Sequence, residues 1–76
     1  IILLGQTVDA AIANVDKFLD DAVLSGLSEV RVVHGSGTGA LRKGLHKYFA
    51  THPAIDSFRL GKYGEGESGV TIVTLK

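Results

Sequence analysis

Between Thr7 and Gly26 the apolar residues Val8, Ala11, Ile12, Val15, Phe18, Leu19, Ala22 and Val23 recur at spacings of three and four. That spacing puts them in one stripe down a helix, with Asp9, Asp16, Lys17, Asp20 and Asp21 off it. Thr7 stands where an N-cap would, Asp9 falls in the first turn, and Gly26 follows as a helix-ending glycine does. A helix with a single apolar face must lay that face on something. In a chain of 76 residues the partner has to come from the short β-prone runs Ile1–Leu4, Glu29–Val33, Ile55–Leu60 and Val70–Leu75. A second helix is expected from Thr38 or Gly39 to about Ala50, carrying Leu41, Leu45, Tyr48 and Phe49 inward. His52-Pro53 ends it, because proline disfavours helical geometry in the residue before it. Gly44 inside this helix costs about 1 kcal/mol relative to alanine, which points to close packing or a bend there.

The element order is thus β-α-β-α-β-β. Strand–helix–strand units cross over right-handed and set their strands parallel, whereas the last two strands, joined by GKYGEGESG without a helix, pair antiparallel. The expected fold is a two-layer α/β sandwich: a mixed four-stranded sheet with both helices on one face and the other face at least partly open. With four glycines in nine residues, the last loop is expected to be mobile. Hydrophobic residues make up 45% of the chain, enough for one core. A domain this short buries only about 60% of its unfolded surface, so its margin of stability is thin. There is no cysteine, hence no disulfide framework and no thiolate metal site, and the expected setting is a reducing, cytoplasmic one. No apolar run is long enough to span a membrane and no signal-peptide pattern precedes the fold, so no membrane partner is expected. A first residue of Ile rather than Met is what one module of a longer protein would show.

Net charge is zero, but the charge is segregated. Residues 1–30 carry Asp9, Asp16, Asp20, Asp21 and Glu29 against Lys17 alone. Residues 31–62 carry Arg31, Arg42, Lys43, Lys47, Arg59 and Lys62 against Asp56 alone. A neutral protein arranged in this way can still present a basic patch to a polyanion.

That patch surrounds HGSGTGALRKG, residues 34–44. Glycine at every second position is there for the backbone, not for packing. A glycine-rich turn from a strand into a helix aims N–H groups outward beside an electropositive helix start, the arrangement that takes a phosphate. The dinucleotide fingerprint fails, because the third residue after Gly37 is Ala40. The P-loop fails too, because Leu45-His46 follows Gly44 where Lys and Ser/Thr are needed. What remains is a loop for an isolated phosphate, such as a nucleic-acid backbone supplies, set against the plainer reading of a tight turn with positive φ angles.

HGSGTGALR resembles the HGxGxG motif of the Smr (small MutS-related) domain. The likeness runs through the helix TVDAAIANVDKFLDDAVLSGL, the strand SEVRVVHG and the late GEGESGVTIVTL, covering residues 1–76 as a single domain. It is most similar to the branch that ends the second bacterial MutS-like ATPase. The resemblance implies a fold like the C-terminal domain of translation initiation factor three. It also implies nucleic-acid binding and nicking of DNA or RNA with little sequence preference. It places the domain as the C-terminal module of a larger ATPase, dimeric through other domains, which suppresses recombination or rescues ribosomes, with branched DNA or ribosomal RNA as the partner. One departure stands out. The family's first strand reads LDLHG or LDLRG, and Ile2 occupies the acidic position here and Leu4 the His/Arg position. Nicking stays the first reading, but that loss raises the second, a docking module without catalysis, above what the family alone would suggest. A protein-interaction module on the open sheet face is a third alternative.

On this reading His34, at a strand's C-terminal end, is the candidate general acid or base, or a donor to phosphate, or a structural histidine fixing the turn. Gly35, Ser36, Gly37, Thr38 and Gly39 form the cradle. Arg42 and Lys43 are positioning charges for phosphate, which Lys47 one turn on and Arg31 on its strand extend. Lys62, with Tyr63 beside it, is placed to clamp a strand by charge and stacking. A divalent metal is compatible with phosphodiester chemistry, but no cluster has metal-ligand spacing, and Glu65 and Glu67 read as solvated acids. His46 and His52 have no partner visible in the sequence.

Overall fold

The computed structural model describes all residues 1–76. Helix α1 spans Val8–Leu24 and turns Ala11, Val15, Leu19 and Ala22 into the core, as the stripe requires. The Thr7 hydroxyl accepts the Ala10 N–H, and Gly26 closes the C-terminus at φ +74°, a conformation in which a side chain would be strained. Strand β1 is Glu29–Val33, helix α2 Ala40–Thr51, strand β2 Ile55–Leu60 and strand β3 Val70–Leu75, with a short 3-10 turn at Glu67–Gly69 before the last.

The sheet is three-stranded in the order β1-β3-β2, and both pairings are antiparallel. β3 slots between the two strands that a pair of simple crossovers would have left side by side. The expected fourth strand reduces to a single parallel bridge, Ile2 to Val33, supported by Leu3 N–H to Val33 O at 2.7 Å and Val33 N–H to Ile1 O at 2.9 Å. Only three residues precede the turn into Gly5, which sits at φ +77°, too few to build a ladder. Leu3 is nevertheless fully buried and completes the core.

Both helices lie on one face. Val30 and Val32 of β1, Val73 and Leu75 of β3, and Ile55 of β2 pack with the α1 stripe and with Leu45 and Phe49 of α2. Alternation sends Arg31 and Arg59 to the opposite face, where they flank Ile72 in register. Gly44 lets α2 approach α1: a Cβ there would stand 2.5 Å from Val8 Cγ1. The gap between the acidic and basic helices is bridged by Tyr48, whose hydroxyl donates to Asp16 Oδ1 at 2.5 Å. Burial, and then that carboxylate, push the Tyr48 phenol well above its ordinary range. His52, without a partner in the sequence reading, accepts the Ala54 N–H through Nδ1 and stands 3.7 Å from Asp16 through Nε2.

Candidate functional site

The loop from His34 to Gly39 and the first turn of α2 enclose an open recess of about 170 Å³ at the end of the sheet. Gly5 and Gln6 form its far wall, and Leu41 and Arg42 its helical side. Gly35 at φ +81° and Gly39 at φ +84° supply the left-handed turns that reverse the chain between β1 and α2. Leu4, at the family's His/Arg position, leans on this loop, since a Cβ on Gly35 would meet its Cδ2 at 2.9 Å.

The loop amides divide into two sets. The N–H groups of His34 and Gly35 both donate to the carbonyl of Gly69, at 3.0 and 2.9 Å. Those of Ser36, Gly37, Thr38 and Gly39 have no partner within the chain, and the Ala40 N–H has only a long contact of 3.4 Å to the Thr38 hydroxyl. Four successive free donors at the start of a helix form an electropositive concavity, and the Arg42 guanidinium lies beside it, 3.1 Å from where a Cβ on Gly39 would be. The recess has no carboxylate in its walls.

His34 is only 4% exposed and both its ring nitrogens are engaged. Nδ1 lies 2.7 Å from the carbonyl of Gly35, and Nε2 lies 2.8 Å from Oγ1 of Thr71. The Gly35 contact has a direct consequence for the recess. In a trans peptide the C=O of one residue and the N–H of the next point in opposite directions, and the chain has no cis bonds. Holding the Gly35 carbonyl toward His34 therefore turns the Ser36 N–H away from it.

Thr71 and His46 were not legible as site residues. Thr71 is fully buried on β3, facing the helices, and its hydroxyl also lies 2.7 Å from Nε2 of His46. His46 is packed edge-on to Phe58 and 6.1 Å from the His34 ring. Burial first, then the neighbouring His34 and Arg42, hold its pKa below the ordinary histidine value. A signal for Thr71 existed in the one polar residue among the inward positions 71, 73 and 75, and for His46 in its place between Leu45 and Phe49, the buried residues of α2.

The remaining predicted residues are not brought to the recess. Lys43 and Lys47 are exposed one turn apart on α2, outside its walls, and Arg31 lies on the open sheet face. Lys62 is exposed in the loop between β2 and β3. That loop has a framework the sequence did not reveal. Glu65 accepts two bonds from Arg59, at 2.8 and 3.2 Å, and one from the Lys62 backbone N–H at 2.8 Å. These donors, Arg59 before Lys62, lower the Glu65 carboxyl to a pKa of about 2. Tyr63 stands 94% exposed at the tip. No group of three or more His, Asp or Glu side chains is placed to hold a metal ion, so the residues present do not make a metal centre. No helix is long and apolar enough to cross a membrane. A second, larger recess of about 290 Å³ lies between Ile1–Leu3 and α1 and contains none of the predicted site residues.

Fold and site together define a small two-layer α/β module with a glycine-loop recess where a strand hands over to a helix. The chain belongs to the Smr domain family, whose model matches residues 2–76. A protein named endonuclease MutS2 from Acetivibrio thermocellus is 60% identical over 72 residues, and one of the same name from Lachnospira eligens is 58% identical over 74. These matches cover 95% and 97% of this chain, which spans only 9% of the length of each relative. The Smr domain of Thermus thermophilus MutS2 superposes with a TM-score of 0.98 at 41% identity, covering 100% of this chain and 95% of that one. YdaL, a stand-alone small MutS-related protein from Escherichia coli, shares the fold with a TM-score of 0.93 at 23% identity, covering 100% of this chain and 63% of that one.

Proposed function

We propose that this Smr domain docks a nucleic-acid backbone by seating one phosphate in the glycine-loop recess. The observation that carries the reading is the run of partnerless N–H groups from Ser36 to Gly39, backed by the α2 N-terminus and by Arg42. Lys43 and Lys47, on the exposed side of the same helix, supply further phosphate contacts, and Lys62 with Tyr63 a charge and a stacking surface on the adjoining loop. Backbone contacts of this kind carry no sequence information, so the docking is expected to tolerate any sequence and to prefer neither DNA nor RNA by base identity. In a longer MutS-like ATPase such a module, at the C-terminal end, would bring the parent protein to branched DNA or ribosomal RNA.

A second reading, nicking of the docked strand, is favoured by the name endonuclease on the MutS2 relatives. His34 is the only acid–base group lining the recess, and its nitrogens are already engaged, so it serves first to shape the loop. Catalysis would need it to release one of those bonds.

The test is binding of a branched DNA and of a structured RNA at two salt concentrations, with Arg42→Gln beside the parent chain. Supercoiled-plasmid nicking is scored in the same samples with and without EDTA. The docking reading expects affinity that falls steeply with salt and a shallower salt slope for Arg42→Gln. Nicking that is lost in His34→Ala while binding persists establishes the second reading. Absence of salt-dependent binding removes both.

A further inference from the structure

The hydroxyl of Thr71 sits between two imidazoles, and the direction of each hydrogen bond can be worked out from the one end that has no choice. The Gly35 carbonyl can only accept, so His34 Nδ1 carries a proton and donates to it. In a neutral His34 the other nitrogen, Nε2, is then an acceptor, and the Thr71 hydroxyl must donate to it. Having given its only proton to His34, Thr71 must accept from His46, whose Nε2 therefore carries its proton. The chain runs one way, from His46 through Thr71 and His34 to the carbonyl of Gly35, and every buried polar atom in it is satisfied. It also limits charge. A proton added to His34 Nε2 would reverse Thr71 and force His46 to accept. With both rings doubly protonated, the Thr71 proton would have no acceptor at all.

We infer that Thr71 and His46, from a strand and a helix that contribute nothing else to the recess at these positions, are positioning residues for the glycine loop. By donating to Nε2, Thr71 supports the Nδ1–H tautomer of His34 that the Gly35 carbonyl requires, and His46 donates to Thr71 in turn. That tautomer pins the Gly35 carbonyl, and the trans peptide turns the Ser36 N–H outward to the ligand. Without the Thr71 hydroxyl the buried Nε2 lone pair of His34 would lose its donor, leaving the Gly35 contact alone to favour the Nδ1–H form. As the Nε2–H tautomer His34 would set two lone pairs, those of Nδ1 and the Gly35 oxygen, against each other at 2.7 Å. The loop would then relax and the Ser36 amide would swing. The groups that face His46 are His34 across Thr71 and Arg42 one turn earlier on α2, both of which disfavour a charge on it. The neutral His46 that the chain requires is the form its surroundings support. The step from amide placement to affinity rests on the phosphate-docking reading; the step from Thr71 to the His34 tautomer does not.

The experiment is nitrogen-15 NMR of the histidine rings and backbone amides of the chain, in the parent and in Thr71→Val and Thr71→Ser. Valine keeps the β-branched shape at a strand position and removes the hydroxyl, whereas serine restores it. Inorganic phosphate and a short oligothymidylate serve as probes. The parent should show His34 protonated at Nδ1. Thr71→Val should shift His34 toward a tautomer mixture, move the Ser36 amide resonance and bind both probes about tenfold more weakly, the size of one hydrogen bond to a charged group. Thr71→Ser should restore tautomer, resonance and affinity. A parent His34 protonated at Nε2 overturns the inference without recourse to any variant, which covers the case of a Thr71→Val that does not fold. A folded Thr71→Val with unchanged tautomer and Ser36 resonance also overturns it, as does a Thr71→Ser no better than valine. If the parent binds neither probe, the docking reading fails while the tautomer comparison still decides this one.

Discussion

The carbonyl of Gly69 accepts the N–H of Gly35 at 2.9 Å, which fastens the loop before β3 to the loop after β1 across the end of the sheet. The same carbonyl takes the His34 N–H, so the two amides nearest the strand are withdrawn from any ligand and the four beyond them are left free. The late GEGESG segment is thus part of the site without touching the recess.

Two glycines of the loop should behave differently on substitution. Gly35 has φ +81° and a Cβ there would press on Leu4, whereas Gly37 has ordinary φ and nothing within 4 Å. Gly35→Ala is expected to cost about 1–2 kcal/mol for the left-handed backbone and to weaken phosphate binding. Gly37→Ala should leave stability within about 0.5 kcal/mol. Urea denaturation of both variants checks this.

Gly44→Ala sets two effects against each other. Alanine favours the helix by about 1 kcal/mol, but its Cβ would stand 2.5 Å from Val8 Cγ1, on a stiff β-branched side chain. Overpacking of this kind costs about 1–3 kcal/mol, so the net change should be destabilising. Combining it with Val8→Ala should recover part of the loss, with a coupling energy above about 0.5 kcal/mol in a double-mutant cycle.

The Arg59–Glu65 pair should be visible in acid. The Glu65 pKa is depressed from 4.5 to about 2, so its contribution to folding is complete above pH 4.5 and fades as pH falls toward 2. A carbon-13 titration of the carboxyl should place its midpoint near 2, and Arg59→Ala should raise it toward 4.5. Hydrogen exchange at the Lys62 amide, which donates to Glu65, should quicken in Arg59→Ala relative to the parent at the same pH.

Leu4 occupies the family's His/Arg position and rests against Gly35 at the margin of the recess. Leu4→Arg should add one phosphate contact, steepening the dependence of log affinity on log salt by about 1. Binding isotherms at several salt concentrations measure that slope. If nicking depends on the family's first-strand residues, Ile2→Asp with Leu4→Arg should raise it above the parent in the plasmid assay.

Much of the fold was written in local periodicity. The α1 stripe, the β-branched runs of β1 and β3, and the stop at His52-Pro53 each specify an element through its own residues. What is not local was harder to read. That β3 inserts between β1 and β2 depends on how the sheet assembles, and no residue in any of these strands announces it. The missing fourth strand followed from Gly5 ending the first run after too few residues to pair. Around the recess, the glycine loop and Arg42 could be grouped from sequence because they are neighbours along the chain. Thr71 and His46 could not, since a threonine in a strand and a histidine in a helix become a hydrogen-bond chain only when distant elements pack. The Glu65 brace was hidden for the same reason, behind a glycine-rich segment that reads as a flexible connection.

The measurement that tests the central claim most directly is an amide NMR titration of the chain with a short oligonucleotide at low and moderate salt. The account predicts that the largest shifts fall on Ser36, Gly37, Thr38 and Gly39 and on the Arg42 side chain, and that added salt diminishes them together. Shifts confined to the open sheet face around Arg31, Ile72 and Arg59, with the glycine-loop amides unmoved, would contradict it.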